Sequence, residues 1–393
     1  MAQVSVVKPA FSDPARELFD RIFSNVSRLY GLIGMNVLDP RYRTRGRTLV
    51  PWVVTLFATI QVAYFLWRER SDLLKVMVIL PYATFPVQGL HVMLQSVTNP
   101  SNFKDLQAKS TEVFELLNEN LTNRPRMARV LKVATFLQKM IIGSYGGSNG
   151  FILVAPFIVW LISGTKSFIF LYRIPFVDEW STVGFLMNLA LHAFIIPIAY
   201  CKYVGIDCLF IAMIVPIAAY VDGLVNEIDE INDLMEQAKP DQKVIRTKLI
   251  RIAKLHQLLL EYEQMLEDRY NFMALVRIGS IVLGIISTIV AIYETGDHMA
   301  AFFSVFLLMQ LTQNCLLGTV ITIKNEKLTE ALYDIKWYQL PVEEARQLTL
   351  MLQSAQNAPT LSIGKIGPLN VESYESIMRS IYNFVMALFA FVG

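Results

Sequence analysis

Seven runs of mostly apolar residues recur along the chain, roughly at 48–66, 74–97, 132–162, 181–217, 271–293, 299–323 and 371–392. A helix needs about 20 such residues to cross a hydrocarbon core of about 30 Å. Inside a bilayer the backbone must satisfy its own hydrogen bonds, and helices do so one segment at a time. The runs therefore predict an all-α polytopic membrane protein with seven transmembrane helices. Charge content agrees, at 17% against about 25% in soluble domains. The third run is broken by GSYGGSNG (143–150), which predicts a bend or a close backbone contact there.

Lys and Arg in the short flanks set the orientation. RYRTRGR precedes the first run, and Lys104, Lys109, Arg124, Arg126 and Arg129 follow the second. On the other side, 67–75 holds Arg68, Arg70 and Lys75 beside Glu69 and Asp72, 163–180 holds only Lys166 and Arg173, and ETGDH (294–298) holds neither type. The bias predicts a cytoplasmic N-terminus and, after seven crossings, an extracellular C-terminus. The opening residues MAQVSVVKPAFSDPARELFDR do not read as a cleaved secretory signal, so the first span is expected to act as its own insertion signal. G-protein-coupled receptors have the opposite orientation, and neither an Asp/Glu-Arg-Tyr triplet directly after the third span nor Asn-Pro-x-x-Tyr in the last occurs.

Between the fourth and fifth runs, Ile217, Val221, Leu224, Ile228, Ile231 and Met235 recur at steps of four and three, a heptad seam. KPDQ (239–242) supplies a turn, and Ile252, Leu255, Leu259, Tyr262 and Leu266 form a second seam. Both predict an antiparallel helical hairpin below the membrane, packed within the chain or against other subunits. The sixth span is expected to continue through ITIKNEKLTEALYDIKWYQL, followed by a helix opened by Pro341. Leu18, Phe19, Ile22, Phe23, Val26 and Tyr30 share a face near the N-terminus. That pattern reads as an amphipathic helix on the inner leaflet, with a packing helix as the alternative. The expected organisation is 1–47 N-terminal region, 48–217 spans one to four, 218–270 hairpin, 271–323 spans five and six, 324–370 cytoplasmic anchor helices and loop, and 371–393 terminal helix.

No catalytic or metal-binding constellation is present. His91, His192, His256 and His298 have no short metal-ligand spacing, there is no Gly-x-Ser-x-Gly, and GSYGGSNG lacks the Lys-Ser/Thr of a phosphate loop. An enzyme, a metal and a cofactor are not expected. Cys201, Cys208 and Cys315 lie in or beside apolar runs and predict no outer disulfide framework. The net charge of +2 points to no nucleic-acid partner. A secondary transporter is the competing class, but the halves show no internal repeat.

The last seventy residues resemble the C-terminal signature of insect odorant receptors. An Ala-x-Tyr-x-x-x-Trp-Tyr stretch (Ala331 to Tyr338) is followed by Arg346, Ala355-Gln356, a small-residue loop and the Leu369-Asn370 approach to the terminal helix. VGIDCLF (204–210) and the segment from His256 to Tyr270 fit the family more loosely. The tight KPDQ connection departs from the long insertion of the shared co-receptor, so the chain resembles a ligand-tuning subunit; a self-assembling gustatory-type receptor is the near alternative. The resemblance implies a small volatile ligand, co-receptor partners in a heterotetramer, permeant cations, and the plasma membrane of sensory dendrites.

It also implies a ligand site in the outer half of the bundle. The matching positions are Val78, Tyr82 and Phe85; Ser148 and Phe151; Phe185, Asn188 and His192; and Phe302, Phe303 and Phe306. Their chemistry suits an apolar or aromatic molecule oriented by a few polar groups. For the terminal helix the resemblance implies a pore face of Ser380, Asn383, Ala387 and Phe391, with the chain ending where the pore opens outward. Constrictions of that kind close by dewetting. Ala387 departs from the branched residue expected at the gate, so partner subunits would complete the seal.

Overall fold

The computed structural model describes residues 13–39, 42, 46–98, 101–168, 170, 172–238, 241–295 and 298–392, except the side chains of 97, 294–302, 391 and 392. Eleven α-helices follow one another among them: α1 (Pro14–Leu32), α2 (Gly46–Arg68), α3 (Leu73–Ile79), α4 (Pro81–Thr98), α5 (Ser101–Asn118), α6 (Arg124–Ser163), α7 (Thr182–Met235), α8 (Gln242–Thr295), α9 (His298–Tyr333), α10 (Val342–Gln356) and α11 (Val371–Val392). Among the described residues there is no strand, only an isolated bridge between Ser362 and Pro368.

Five helices are long and apolar enough to cross a bilayer, namely α2, α6, α7, α8 and α9. The pair α3 and α4, bent by 50°, makes a sixth. The bend falls at Pro81, whose ring and missing N–H interrupt the helical ladder. The 22-residue α11 coincides with the seventh predicted span. The protein is thus an all-α polytopic membrane protein.

Two helices dominate. The spans and the hairpin arms are continuous, so α7 and α8 each run 54 residues, about 80 Å at 1.5 Å per residue. The most apolar stretch of α7 is wholly buried, which makes it the central post of the bundle. Beyond the spans, α7 and α8 meet α1, α5, α10 and the end of α9 in a helical base. Ile217, Val221, Leu224, Ile228, Ile231 and Met235 are all buried there, facing a buried Ile252, Leu255, Leu259, Tyr262 and Leu266. The hairpin tip at 239–240 lies outside the described residues.

Ion pairs tie the base helices together. Asp222 receives Lys324 at 2.7 Å and Lys327 at 2.9 Å, joining α7 to α9; partial burial opposes its ionisation, but the two lysines hold its carboxyl below the usual range. Glu230 meets Lys248 at 2.6 Å, and Arg246 meets Glu344 of α10 at 3.4 Å. Glu263 and His256 are buried without a charged partner among the described residues. Burial pushes the Glu263 carboxyl up to about 8, opposed only by the Asn325 amide, and burial pushes the His256 imidazole down to about 4.

Two expectations change. GSYGGSNG does not break its span, for α6 runs through it unbroken. Its glycines mark no close backbone contact either: a Cβ at Gly146 would meet the Tyr200 hydroxyl at 3.6 Å, an ordinary contact, and one at Gly143, Gly147 or Gly150 would meet nothing within 4 Å among the described residues. The apolar face of α1 is not free for the leaflet. Phe19, Ile22, Phe23, Val26 and Tyr30 are buried against α6 and α7, and Gly205 admits the Tyr30 ring where a Cβ would crowd it, at 2.6 Å. Asp13 caps this helix through the N–H groups of Ala15 (3.1 Å) and Arg16 (3.2 Å).

The connection from α10 to α11 is fixed at both ends. The Ser362 N–H donates to Glu267 at 2.8 Å and the Gly364 N–H to the Asn271 carbonyl at 2.9 Å. A Cβ at Gly318 would overlap the Leu369 carbonyl oxygen, so glycine lets the loop lie directly on α9. From there α11 rises against α8 and α9.

Candidate functional site

At the end of the bundle remote from the base, α2, α4, α6, α7 and α9 separate around a cavity with about 930 Å³ of atom-free space, its mouth included. Val54, Thr55 and Ala58 come from α2, Phe85 and Pro86 from α4, and Tyr145, Ser148, Asn149 and Ile152 from α6. The segment between α6 and α7 closes one side with Phe170 and Tyr172. His192 to Tyr203 of α7 form the back wall, and Phe303 and Phe306 of α9 the front.

The lining is aromatic and interlocked. Phe303 meets Tyr82 edge-on at 5.6 Å, Phe85 at 6.0 Å and Phe170 at 6.1 Å. Phe306 lies against Tyr145 at 4.7 Å and Phe85 at 5.8 Å. Such edge-to-face contacts fix ring positions while leaving apolar faces for a guest.

Of the residues expected from sequence, Phe85, Ser148, His192, Phe303 and Phe306 line this cavity together. Tyr82 stands one layer behind, supporting Phe303. Phe185 and Asn188 are buried nearer the end of α7 and work on the connecting segment. Phe185 packs on Phe168 at 5.1 Å, and the Asn188 side-chain oxygen accepts the Ile174 N–H at 2.8 Å. His192 has the same duty, because its Nε2 pairs with the Tyr172 carbonyl at 2.9 Å. Phe151 is 58% exposed and does not line the cavity. Val78 sits on α3, half-buried, also outside the lining. The Phe302 side chain lies outside the described residues.

Three features escaped the sequence reading. The segment after α6 cannot be placed by periodicity, and α2 gave no cue beyond its span. Lys202 did give a signal: a lysine within LHAFIIPIAYCKYVGIDCLF (191–210) is costly in a span and marks function by default. It lines both the main cavity and a smaller one beneath. Five residues on, Asp207 is fully buried and pairs with Arg277 of α8. The Tyr145 hydroxyl donates to Asp207 Oδ2 at 2.9 Å, so the cavity wall connects directly to this pair.

On α11, Ile381 and Val385 are buried at 2% and 6%, whereas Ser380, Asn383 and Ala387 are exposed on the opposite side. The Tyr293 and Phe389 rings lie 4.4 Å apart between α8 and α11. The Phe391 side chain lies outside the described residues.

A multi-pass helical bundle with an aromatic cavity among its spans is a membrane protein with room for a small, largely apolar guest. Residues 97–382 match the sequence model of the 7tm odorant receptor family, and the chain belongs to that family. It is similar to odorant receptor 33b of Drosophila melanogaster, 22% identical over 86% of this chain and 89% of that one. It is also similar to the putative odorant receptor 83c of the same species, 22% identical over 44% of this chain, a match spanning only 46% of that relative. The fold is that of the olfactory receptor OR5 from Machilis hrabei. The TM-score is 0.73 to its complex with eugenol, at 13% identity over 96% of this chain and 100% of the other. A second structure of the same receptor gives 0.74 at 13% identity, over 96% and 99%. The chain is accordingly a receptor and not an enzyme.

Proposed function

We propose that this protein is a ligand-tuning odorant receptor subunit. It binds a small volatile, apolar or aromatic molecule in the aromatic cavity and, with odorant co-receptor subunits, forms a heterotetrameric non-selective cation channel. The observation that carries the reading is α9, one helix that lines the cavity at Phe303 and Phe306 and enters the base at Lys324 and Lys327. The solved relative with eugenol supports an aromatic guest. In this reading the N-terminus and base are cytoplasmic, the C-terminus is extracellular, and the protein resides in the plasma membrane of sensory dendrites.

Gating then requires only that the ligand prefer one of two arrangements of the bundle. A guest that wedges α9 away from α4 and α6 displaces a helix whose other end is held by Asp222, and α11 rides on α8 and α9. The uncovered face of Ser380, Asn383 and Ala387 is available to line a shared pore with the same helix of partner subunits, Phe391 following one turn on. Ser380 and Asn383 lack cover among the described residues, where a purely lipid-facing role would place apolar side chains.

The test is whole-cell current in cells expressing this chain alone and with an insect odorant co-receptor, across a panel of volatiles. Odorant-evoked cation current only in the pair is expected. Current from the chain alone would make it a self-assembling, gustatory-type receptor, and surface-expressed protein silent in both settings would end the channel reading. Phe303→Ala should shift odorant sensitivity at least tenfold without loss of surface protein; an unchanged dose–response across the panel would remove the cavity from the mechanism.

A further inference from the structure

Lys202 stands midway along α7 with 4% of its surface exposed. Its Nζ donates to Thr55 Oγ1 at 2.9 Å. The Thr55 hydroxyl hydrogen is directed to the Pro51 carbonyl at 2.7 Å, so its oxygen faces the amine as an acceptor. The Tyr203 ring centroid lies 4.9 Å from Nζ. Among the described residues no carboxylate lies within 4.0 Å of this amine. Asp207, five residues on, is already taken by Arg277 and Tyr145.

A Cβ at Gly89 would overlap Lys202 Nζ, and glycine there lets the amine reach the floor of the cavity. A buried cation without a counter-charge is costly, and so is an ammonium using one of its three donors. Nothing in the hydrogen bonding of α2, α4 or α7 requires a lysine at this place, since Thr55 is already satisfied through Pro51. The group is aimed at something that enters the cavity.

We propose that Lys202 is the specificity-determining anchor of the site and selects volatile carboxylic acids. The ligand's carboxylate takes the free donor positions of the amine and supplies its missing counter-charge. Its hydrocarbon or aromatic body fills the space bounded by Phe85, Phe303 and Phe306. An ester or alcohol offers one acceptor and no charge, so it satisfies the amine only in part. The inference rests on the odorant-receptor reading and deepens it by naming the ligand class.

The test compares three probes with one body: phenylacetic acid, methyl phenylacetate and phenethyl alcohol. Each is added to the purified full chain, and ligand-dependent thermal stabilisation gives apparent affinity. Phenylacetic acid should bind tightest, and Lys202→Met should weaken it at least tenfold, and by a larger factor than it weakens the ester, which loses one hydrogen bond to an uncharged acceptor. Lys202→Arg should restore part of the acid's affinity. Equal acid binding by wild type and Lys202→Met overturns the proposal, as does an acid that stabilises wild type less than the ester does.

Should Lys202→Met fail to fold, infrared spectra of carboxyl-labelled phenylacetic acid on the wild-type chain decide instead. A carboxylate band supports the pairing, and a protonated carboxyl band overturns it. A silent acid beside a stabilising ester or alcohol removes the anchor and leaves the receptor reading intact. No stabilisation by any volatile tested would remove both.

Discussion

Glu263 makes the stability of the base depend on pH in a direction opposite to that of most carboxylates. Burial raises its carboxyl from 4.5 to about 8, so at neutral pH the folded chain keeps a proton that the unfolded chain has released. Stability therefore falls as pH rises from 4.5 and stops falling near 8, by about 1.4 kcal/mol per pH unit. Over that whole interval the loss is about 5 kcal/mol. His256 acts the other way between about 4 and 6.5, since only the unfolded chain takes up its proton. The two slopes nearly cancel below pH 6.5, and Glu263 acts alone above it. From pH 6.5 to 8 the wild type should lose about 2 kcal/mol. Glu263→Gln keeps the shape and can still accept from Asn325, which donates to the native carboxylate at 3.1 Å, but it has no proton to lose. The variant should show no such slope and, at pH 8, should exceed wild type by up to about 5 kcal/mol. For a chain of this length unfolding as one unit, that is a rise of about 6 °C in Tm. Fluorescence-detected thermal unfolding of the detergent-solubilised protein at pH 6.5 and 8 measures both. A wild type flat across that range, or a variant less stable at pH 8, would refute the reasoning.

On the acid side, Glu263→Gln alone should lose about 2 kcal/mol between pH 6.5 and 5, the His256 contribution that Glu263 offsets in wild type, and adding His256→Gln should remove that loss in the same thermal assay. Tyr145→Phe deletes the hydroxyl that donates to buried Asp207 at 2.9 Å and should cost about 1.5–3 kcal/mol. An unchanged Tm in that variant would mean that the Asp207–Arg277 pair stands without help from the cavity wall.

The base was legible because heptad spacing is a long signal, and Ile217 to Met235 repeats it over five turns with no alternative face. The unbroken α6 was not. Its glycines read as a break by soluble-protein propensity, but in an apolar surround a freed backbone group has no water to turn to, so the helix persists. The placement of α1 was ambiguous for another reason. An amphipathic face suits lipid and protein equally, and the choice was made by Gly205, a residue far away in sequence that opens room for Tyr30. In the cavity, Phe85, Ser148, His192, Phe303 and Phe306 were reached through the family resemblance, which points to the outer halves of spans whose depth could be counted. Phe170 and Tyr172 lay in a connection that no periodicity places. Lys202 was visible in the sequence, but the cavity beside it was not.

The burial of α1 has a consequence for biosynthesis. Its cradle on α7 includes Gly205, so about 170 residues must be made after Leu32 before the helix can dock. At about 5–20 residues per second that is roughly 10–35 s of translation. Until then the part of the apolar face of α1 that seats on α7, with Tyr30 in it, has no protein to cover it, and the nearest apolar refuge is the bilayer surface on which the ribosome sits. The pattern that suggested a leaflet helix would then describe a temporary berth rather than the finished address. Nascent chains arrested near residue 180 should expose α1 to lipid-borne crosslinkers, and chains arrested well past 240 should not; equal labelling at both lengths would rule the berth out.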